Sequence, residues 1–195
     1  MVNLTRIYTK TGDGGRTRLS DLSEAAKSDP RVEAYGDVDE ANAVIGLVAV
    51  QPDLPDDLRD VISRVQNDLF DVGADLSNPN WPDAEPDPHT PPALRVDDAY
   101  VDQLEAWCDQ FNADLPPLRS FVLPGGNQTS ALLHLARTVV RRAERAAWRV
   151  QPGTVNPAVT TYLNRLSDLL FILARTTAQQ SGETLWAPRR QPSTY

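Results

Sequence analysis

Residues 6–21, RIYTKTGDGGRTRLSD, gather three glycines in four positions (Gly12, Gly14, Gly15) with Lys10, Arg16 and Arg18 and the hydroxyls of Thr9, Thr11 and Thr17. Glycine admits backbone shapes that turn successive N–H groups toward one point and so make an anion nest. The cations and hydroxyls around it suit a polyphosphate. No Gly-Lys-Ser/Thr closes the run and no strand-to-helix turn frames it, so it is not a P-loop. Composition alone favours a plainer reading, a frayed N-terminal arm with glycine turns.

A second group of cations changes that balance. Arg137, Arg141 and Arg145 follow one another at steps of four in ARTVVRRAER, so a helix would carry all three on one face. Like charges at that spacing repel by about 0.2–0.5 kcal/mol per pair unless an anion answers them. Glu144 can answer one, while Arg142 and Arg149 add more charge. A solvated helix face is the usual meaning of such a run. Together with the glycine-rich arm, the stripe is better explained by a bound phosphate chain.

Other polar candidates read more plainly. Asn164 and Asp168 lie one turn apart, with Arg175 two turns beyond; a buried network is the expectation for Asp168, and Asn164 could reach a nucleotide or sugar. Asp37, Asp39, Glu40 and Asn42 form a surface or ion-pair set more readily than an acid–base pair. His89 falls in a proline-rich stretch, His134 reads as structural or exposed, and Cys108 reads as core. One thiol and two histidines build no metal cage, and the chain offers no evident nucleophile. The reactive atom of any chemistry would come from a substrate or cofactor.

The elements that must hold these residues are helical. Asp29-Pro30 opens a helix whose apolar residues Ala34, Val38, Ala41, Ile45 and Val48 step by three and four until Pro52. A second begins near Pro55 and carries Leu58, Ile62, Val65, Leu69, Val72 and Leu76. A third covers about 97–112, with Tyr100, Val101, Leu104, Trp107, Cys108 and Phe111. The fourth, about 127–150, places Leu132, Ala136, Val139, Ala143, Ala146 and Val150 inward. The fifth, capped by Asn156 and ending near Gly182, has the seam Val159, Leu163, Leu166, Leu170 and Leu173. No strand is persuasive beyond the opening, and residues 77–95, rich in Pro and Asp, read as an exposed connection. The pattern predicts an all-α five-helix bundle with an extended N-terminal arm.

Composition sets the outer limits. The 195 residues suffice for one domain with a sizeable core, and 41% hydrophobic against 24% charged residues is globular. A net charge of −8 excludes non-specific nucleic-acid binding, so a positive site must be local. No apolar run approaches membrane-spanning length, and lone cysteine usage fits a reducing cytoplasm.

Six stretches in order carry a resemblance: YTKTGDGGRT (8–17), RVEAYGDVDEANAVIG (31–46), QNDLFDVGADL (66–76), FVLPGGNQ (121–128), ARTVVRRAER (136–145) and NRLSDLLF (164–171). The chain resembles the PduO-type ATP:cob(I)alamin adenosyltransferases over most of its length. The resemblance implies a single domain over 1–195: an ATP-wrapping arm (1–28), a bundle (29–182) with the 77–95 loop, and a tail (183–195). It implies a homotrimer with ATP shared between neighbouring subunits. Thr9, Lys10, Thr11, Gly12, Asp13, Thr17, Arg18 and Lys27 would line the nucleotide, with Arg141, Arg142, Glu144, Arg145 and Asn164 completing the site. Asp39 would pair with Arg137 across the subunit boundary, and Phe121 would lie under the corrin, although without the resemblance it reads as a core aromatic. Cobalt(I) would attack the 5′-carbon of ATP, with Lys10, Arg141 and a magnesium ion stabilising the departing triphosphate. A flavin-type reductase and an adenosylcobalamin-dependent mutase are the partners implied. Ala41 departs from the larger aliphatic residue common at that position. A non-catalytic bundle that delivers or senses ATP and cobalamin is the rival reading.

Overall fold

The computed structural model describes residue 8, residues 10–82 and residues 92–189. Five helices carry these residues: α1 (Pro30–Ala49), α2 (Asp56–Leu76), α3 (Asp98–Asn112), α4 (Gln128–Ala147) and α5 (Pro157–Ala178). The two caps expected from sequence, Asp29 and Asn156, form as side-chain bonds to the first turn, and Asn127 caps α4 in the same way. Asp29 accepts from Arg31 N at 2.8 Å, Asn127 from Ser130 N at 2.7 Å and Asn156 from Ala158 N at 3.1 Å. The apolar seams of α1, α2 and α5 are buried as their spacing dictates, from Ala34 and Val38 through Leu58 and Ile62 to Leu166 and Leu170.

In the bundle α4 is central. It packs along α1 on one side and α5 on the other, with α2 lying on α1 and α3 on α5. Two neighbours require a wide apolar sector. Leu133, Val140 and Ala147 are therefore buried beside the expected Ala136, Val139, Ala143 and Ala146, while the expected Leu132 is only half-buried. The last turn of α4 tightens: Arg149 N bonds to Ala146 O at 2.9 Å and Val150 N to Ala147 O at 3.2 Å. Regular helix thus stops at Ala147, short of Val150. After α5 the chain stays coiled until Gly182, where a φ of +85° ends it.

One element was not expected. Arg16–Arg18 (β1) and Glu24–Ala26 (β2) pair antiparallel, with Thr17 opposite Ala25. Three-residue strands are too short to show an alternating pattern, so sequence cannot announce them. An Arg16 Nε–Glu24 Oε2 pair at 2.9 Å fastens them across the strands, and Asp21 Oδ1 accepts from Ser23 N and Ser23 Oγ to shape the turn. The hairpin leans on one end of the bundle, where Ser20 N bonds to Ser77 O.

That end of the bundle is tied by buried polar groups. Arg31, 5% exposed, donates to Leu76 O, Asn78 O and Thr154 O at 2.6, 3.1 and 2.7 Å. Asp75, 2% exposed, accepts from Arg95 Nη1 (2.6 Å), Val96 N (2.9 Å) and Asn156 Nδ2 (2.7 Å). One carboxylate therefore joins α2, the segment entering α3 and the cap of α5. Removing one partner of a buried charge pair costs about 3–5 kcal/mol, because the other is left unanswered. Asp75→Ala should lose stability on that scale, read as a shift of the urea midpoint; a midpoint equal to the parent's would show the network to be ornamental.

Asp168 does not take the buried place expected of it. It lies two residues beyond the inward Leu166, roughly 200° around the helix, and faces solvent beside Arg165 at 3.8 Å. The buried carboxylate on that side of the core belongs to α2. Asp68 meets Arg64 Nε at 2.9 Å and accepts from Tyr162 Oη at 3.3 Å, and burial raises its pKa against the pull of Arg64. His89 lies outside the described residues.

Candidate functional site

The arm places Lys10 at a φ of 62°, exposed, with its ammonium 6.0 Å from the Tyr8 ring. Gly15, at φ 76°, closes a turn by donating to Gly12 O at 3.2 Å, and its own carbonyl accepts from Lys27 N at 2.8 Å. The Lys27 ammonium then lies 3.2 Å from where a Cβ on Gly12 would stand. A Cβ there would need the flexible end of Lys27 to shift by a few tenths of an ångström. Thr11 and Asp13 are exposed on the same turn, while Thr17 and Arg18 lie on β1. Thr9 lies outside the described residues.

On α4 the stripe divides. Arg141 and Arg145 are exposed, with Arg145 Nη1 donating to Arg141 O at 2.8 Å. Arg137 is half-buried, its guanidinium 5.9 Å from the Phe171 ring and its Nε without a hydrogen-bond partner among the described residues. Burial, and then the charge of Arg141, lowers its pKa. Arg142 turns toward α1 and is held by Glu40 and by Asp37 at 3.3 Å, so the acidic cluster of α1 is in part an ion-pair set. Glu144 accepts from Asn164 Nδ2 at 3.2 Å, which joins the two site candidates of α4 and α5. Asp39 is exposed and makes no ion pair among the described residues.

Charge pairing divides the cations, though not along the line of the candidates, since the candidate Arg142 is paired. Arg16, Arg59, Arg64, Arg95, Arg142, Arg149, Arg165 and Arg175 each have a carboxylate within 4.0 Å. Lys10, Arg18, Lys27, Arg137, Arg141 and Arg145 have none among the described residues, nor do the exposed Arg119 and Arg189. In a chain of net charge −8, unanswered cations on one arm and one helix face mark a place for an external anion. A cavity of about 700 Å³ beneath the hairpin is a different place. Its arginines are already satisfied: Arg16 by Glu24, Arg149 by Glu33 and Arg31 by carbonyls.

Phe121 is 78% exposed, so the core reading of this ring fails. It meets Trp186 edge-to-face, with centroids 6.1 Å apart. Its segment enters α4 through Gly125 and Gly126; the latter has a φ of 92° and passes so near α5 that a Cβ would come within 3.1 Å of Ala178 Cβ. Asn127 anchors the far side, donating to Thr177 O at 2.6 Å.

The remaining candidates are inert. Burial pushes the half-buried Cys108 thiol up to about 11 and lowers the pKa of His134, which is 3% exposed and edge-on to Phe171 at 5.9 Å. The reading of His134 as structural holds. Sequence reasoning missed the ion pair of Arg175 with Glu183; the signal available was an arginine on the inward side of α5 facing a lone acid after Gly182.

The described residues form a helical bundle that sets unpaired cations on a glycine-rich arm and on one face of α4, with an exposed aromatic ring in the segment that leads into that helix. The family model described as Cobalamin adenosyltransferase matches residues 7–177. The chain belongs to that family. A corrinoid adenosyltransferase of Mycobacterium tuberculosis is 55% identical over 190 residues, covering 96% of this chain and 95% of the relative. One of Bacillus subtilis is 37% identical over 182 residues, covering 91% and 89%. Among solved structures, a Phe-to-Ala variant of a PduO-type ATP:corrinoid adenosyltransferase from Lactobacillus reuteri, complexed with cobalamin and ATP, has a TM-score of 0.82 at 34% identity. It covers 94% of this chain and 100% of that one.

Proposed function

We infer that the protein transfers the 5′-deoxyadenosyl group of ATP to the cobalt of cob(I)alamin, giving adenosylcobalamin and triphosphate. The observation that carries this reading is the set of unanswered cations, Lys10, Arg18, Lys27, Arg137, Arg141 and Arg145, in an acidic chain of this family. An electron pair on cobalt(I) forms the bond to C5′; the C5′–O bond breaks, and its electrons leave with the triphosphate. The protein needs no nucleophile of its own. It must align two substrates, exclude water and hold the charge of the leaving group.

Thr9, Lys10, Thr11, Gly12, Asp13, Thr17, Arg18 and Lys27 form the nucleotide side of the site. Arg141, Arg142, Glu144, Arg145 and Asn164 form its α4–α5 side, with Arg142 fixed by α1 and Glu144 orienting Asn164. Among the described residues no group of three His, Cys, Asp or Glu gathers to hold a metal. Ammonium, guanidinium and hydroxyl groups predominate over the carboxylates of Asp13 and Glu144, which fits a phosphate chain, and magnesium would be carried by ATP with most of its water. When bound there it adds positive charge beside the leaving oxygen. A flavin-type reductase supplies cobalt(I), and an adenosylcobalamin-dependent mutase takes the product. None of the described helices is long and apolar enough to cross a membrane, and we place the protein in the cytoplasm.

The deciding experiment mixes cob(I)alamin, ATP and protein without oxygen. Adenosylcobalamin and triphosphate in many-fold excess over protein are expected. Stoichiometric binding without turnover would make the protein a carrier of both ligands instead.

The assembly is proposed on the family resemblance. Two groups are compatible with it: among the described residues Asp39 on α1 makes no ion pair, and the Nε of the half-buried Arg137 on α4 has no hydrogen-bond partner. We pair them across subunits of a homotrimer, beside each ATP site. If the proposed interface buries the pair, Asp39→Asn would leave the Arg137 guanidinium unanswered there at a cost of about 3–5 kcal/mol, so trimer and activity should fall together on dilution. Light scattering that finds a fully active monomer would end this idea.

A further inference from the structure

We propose that residues 183–186 are a strap that sets the orientation of the Phe121 ring, with Trp186 and Glu183 as positioning residues for adenosyl transfer. The proposal rests on the placement of Phe121 under the corrin. It begins with what the Phe121 segment lacks: Phe121 and Leu123 are 78% and 43% exposed, so no core packing holds them. Main-chain bonds to the tail do so instead. Leu123 N donates to Thr184 O at 2.8 Å and Trp186 N to Phe121 O at 2.7 Å, with Val122 opposite Leu185 in an antiparallel bridge. Ser120 Oγ adds a bond to Trp186 O at 2.7 Å. The backbone is thus gripped at Phe121 itself and on both sides of it.

The tail is in turn anchored to the bundle. Arg175, 4% exposed on α5, donates through Nε to Glu183 Oε1 at 2.8 Å and through Nη2 to Pro116 O at 2.8 Å. One buried guanidinium therefore ties together α5, the start of the strap and the segment leaving α3. The indole of Trp186 closes the device against the Phe121 ring at an interplanar angle of 67°. Trp186 stays 48% exposed and Phe121 78% exposed, so their contact buries little area. It fixes an angle more than it fills a core, which suits a ring that must meet a flat macrocycle in one attitude.

The test uses the full chain and three readouts: the four-coordinate cobalt(II) resonance of bound cob(II)alamin with ATP present, kcat, and KM for ATP. Trp186→Ala should lower the resonance and kcat together by roughly two- to tenfold, the worth of an edge-to-face pair, with KM for ATP unchanged. Trp186→Phe should recover most of the loss, and Glu183→Gln should give a smaller loss in the same direction. Because Trp186 is to act through Phe121, adding Trp186→Ala to Phe121→Ala should cost nothing further. A full resonance and kcat in Trp186→Ala, while Phe121→Ala loses both, would overturn the strap, as would an additive loss in the double variant. If Phe121→Ala also keeps the resonance, the placement of Phe121 has failed first, and the strap has nothing to position.

Discussion

Phe121→Ala is expected to keep its affinity for ATP and to lose about two orders of magnitude of turnover from cob(II)alamin, a loss of roughly 3 kcal/mol in the barrier. The ring stands 78% exposed at the foot of α4 rather than in the core, so its removal opens no cavity and should leave the melting temperature nearly unchanged. On the proposed placement its work would be displacement. A bulky ring under the corrin would crowd out the lower ligand of cobalt, which would lower the orbital that must accept an electron. Reduction of cobalt(II) to cobalt(I) becomes easier without any acid or base. A corrinoid lacking the lower base has nothing to displace and should be affected less. With ATP present, the parent should show a four-coordinate cobalt(II) resonance and Phe121→Ala little of it. An unchanged resonance would remove the ring from the site.

The parts of this molecule that could be read from sequence are those with a period or a cap. Asp29-Pro30 and Asn156-Pro157 announce helix starts, because an Asx side chain before a proline can hardly serve another purpose at the head of an apolar 3-4 repeat. α4 was placed correctly but its inward face was drawn too narrow, since a seam along one stripe presumes one neighbour and α4 has two. The hairpin and the segment 183–186 leave no such trace: their pairing rests on main-chain bonds, and the side-chain ties that add to it have no period to announce them. Polar residues were the hardest. Asp168 and Asp68 look alike in sequence, yet two residues past an inward leucine turns one to solvent while the other faces Tyr162. For the site, residue types and spacing exposed the cations but could not say which were already answered. That Arg142 is neutralised by α1 while Arg141 is not depends on where α1 lies.

That difference gives the last expectation its controls. Arg141→Ala and Lys10→Ala should each cost roughly ten- to hundredfold in kcat/KM for ATP, the worth of one charge-assisted contact to a phosphate. Neither residue has a carboxylate partner among the described residues, so neither change should disturb the fold, and the effect reports the ligand. Arg149 lies eight residues beyond Arg141, in the turn just past the end of α4, is exposed, and is paired with Glu33 at 3.1 Å. Arg149→Ala removes the same charge from the same acidic chain and should leave kcat/KM within about twofold, since an exposed pair contributes little. The comparison separates a specific phosphate contact from the general field of the protein. A field effect would make Arg141→Ala and Arg149→Ala alike, and both would fade as salt is raised. A contact inside a closed site would leave Arg141→Ala impaired in high salt as well. Parent-like turnover in all three variants would reduce the α4 stripe to a solvated helix face.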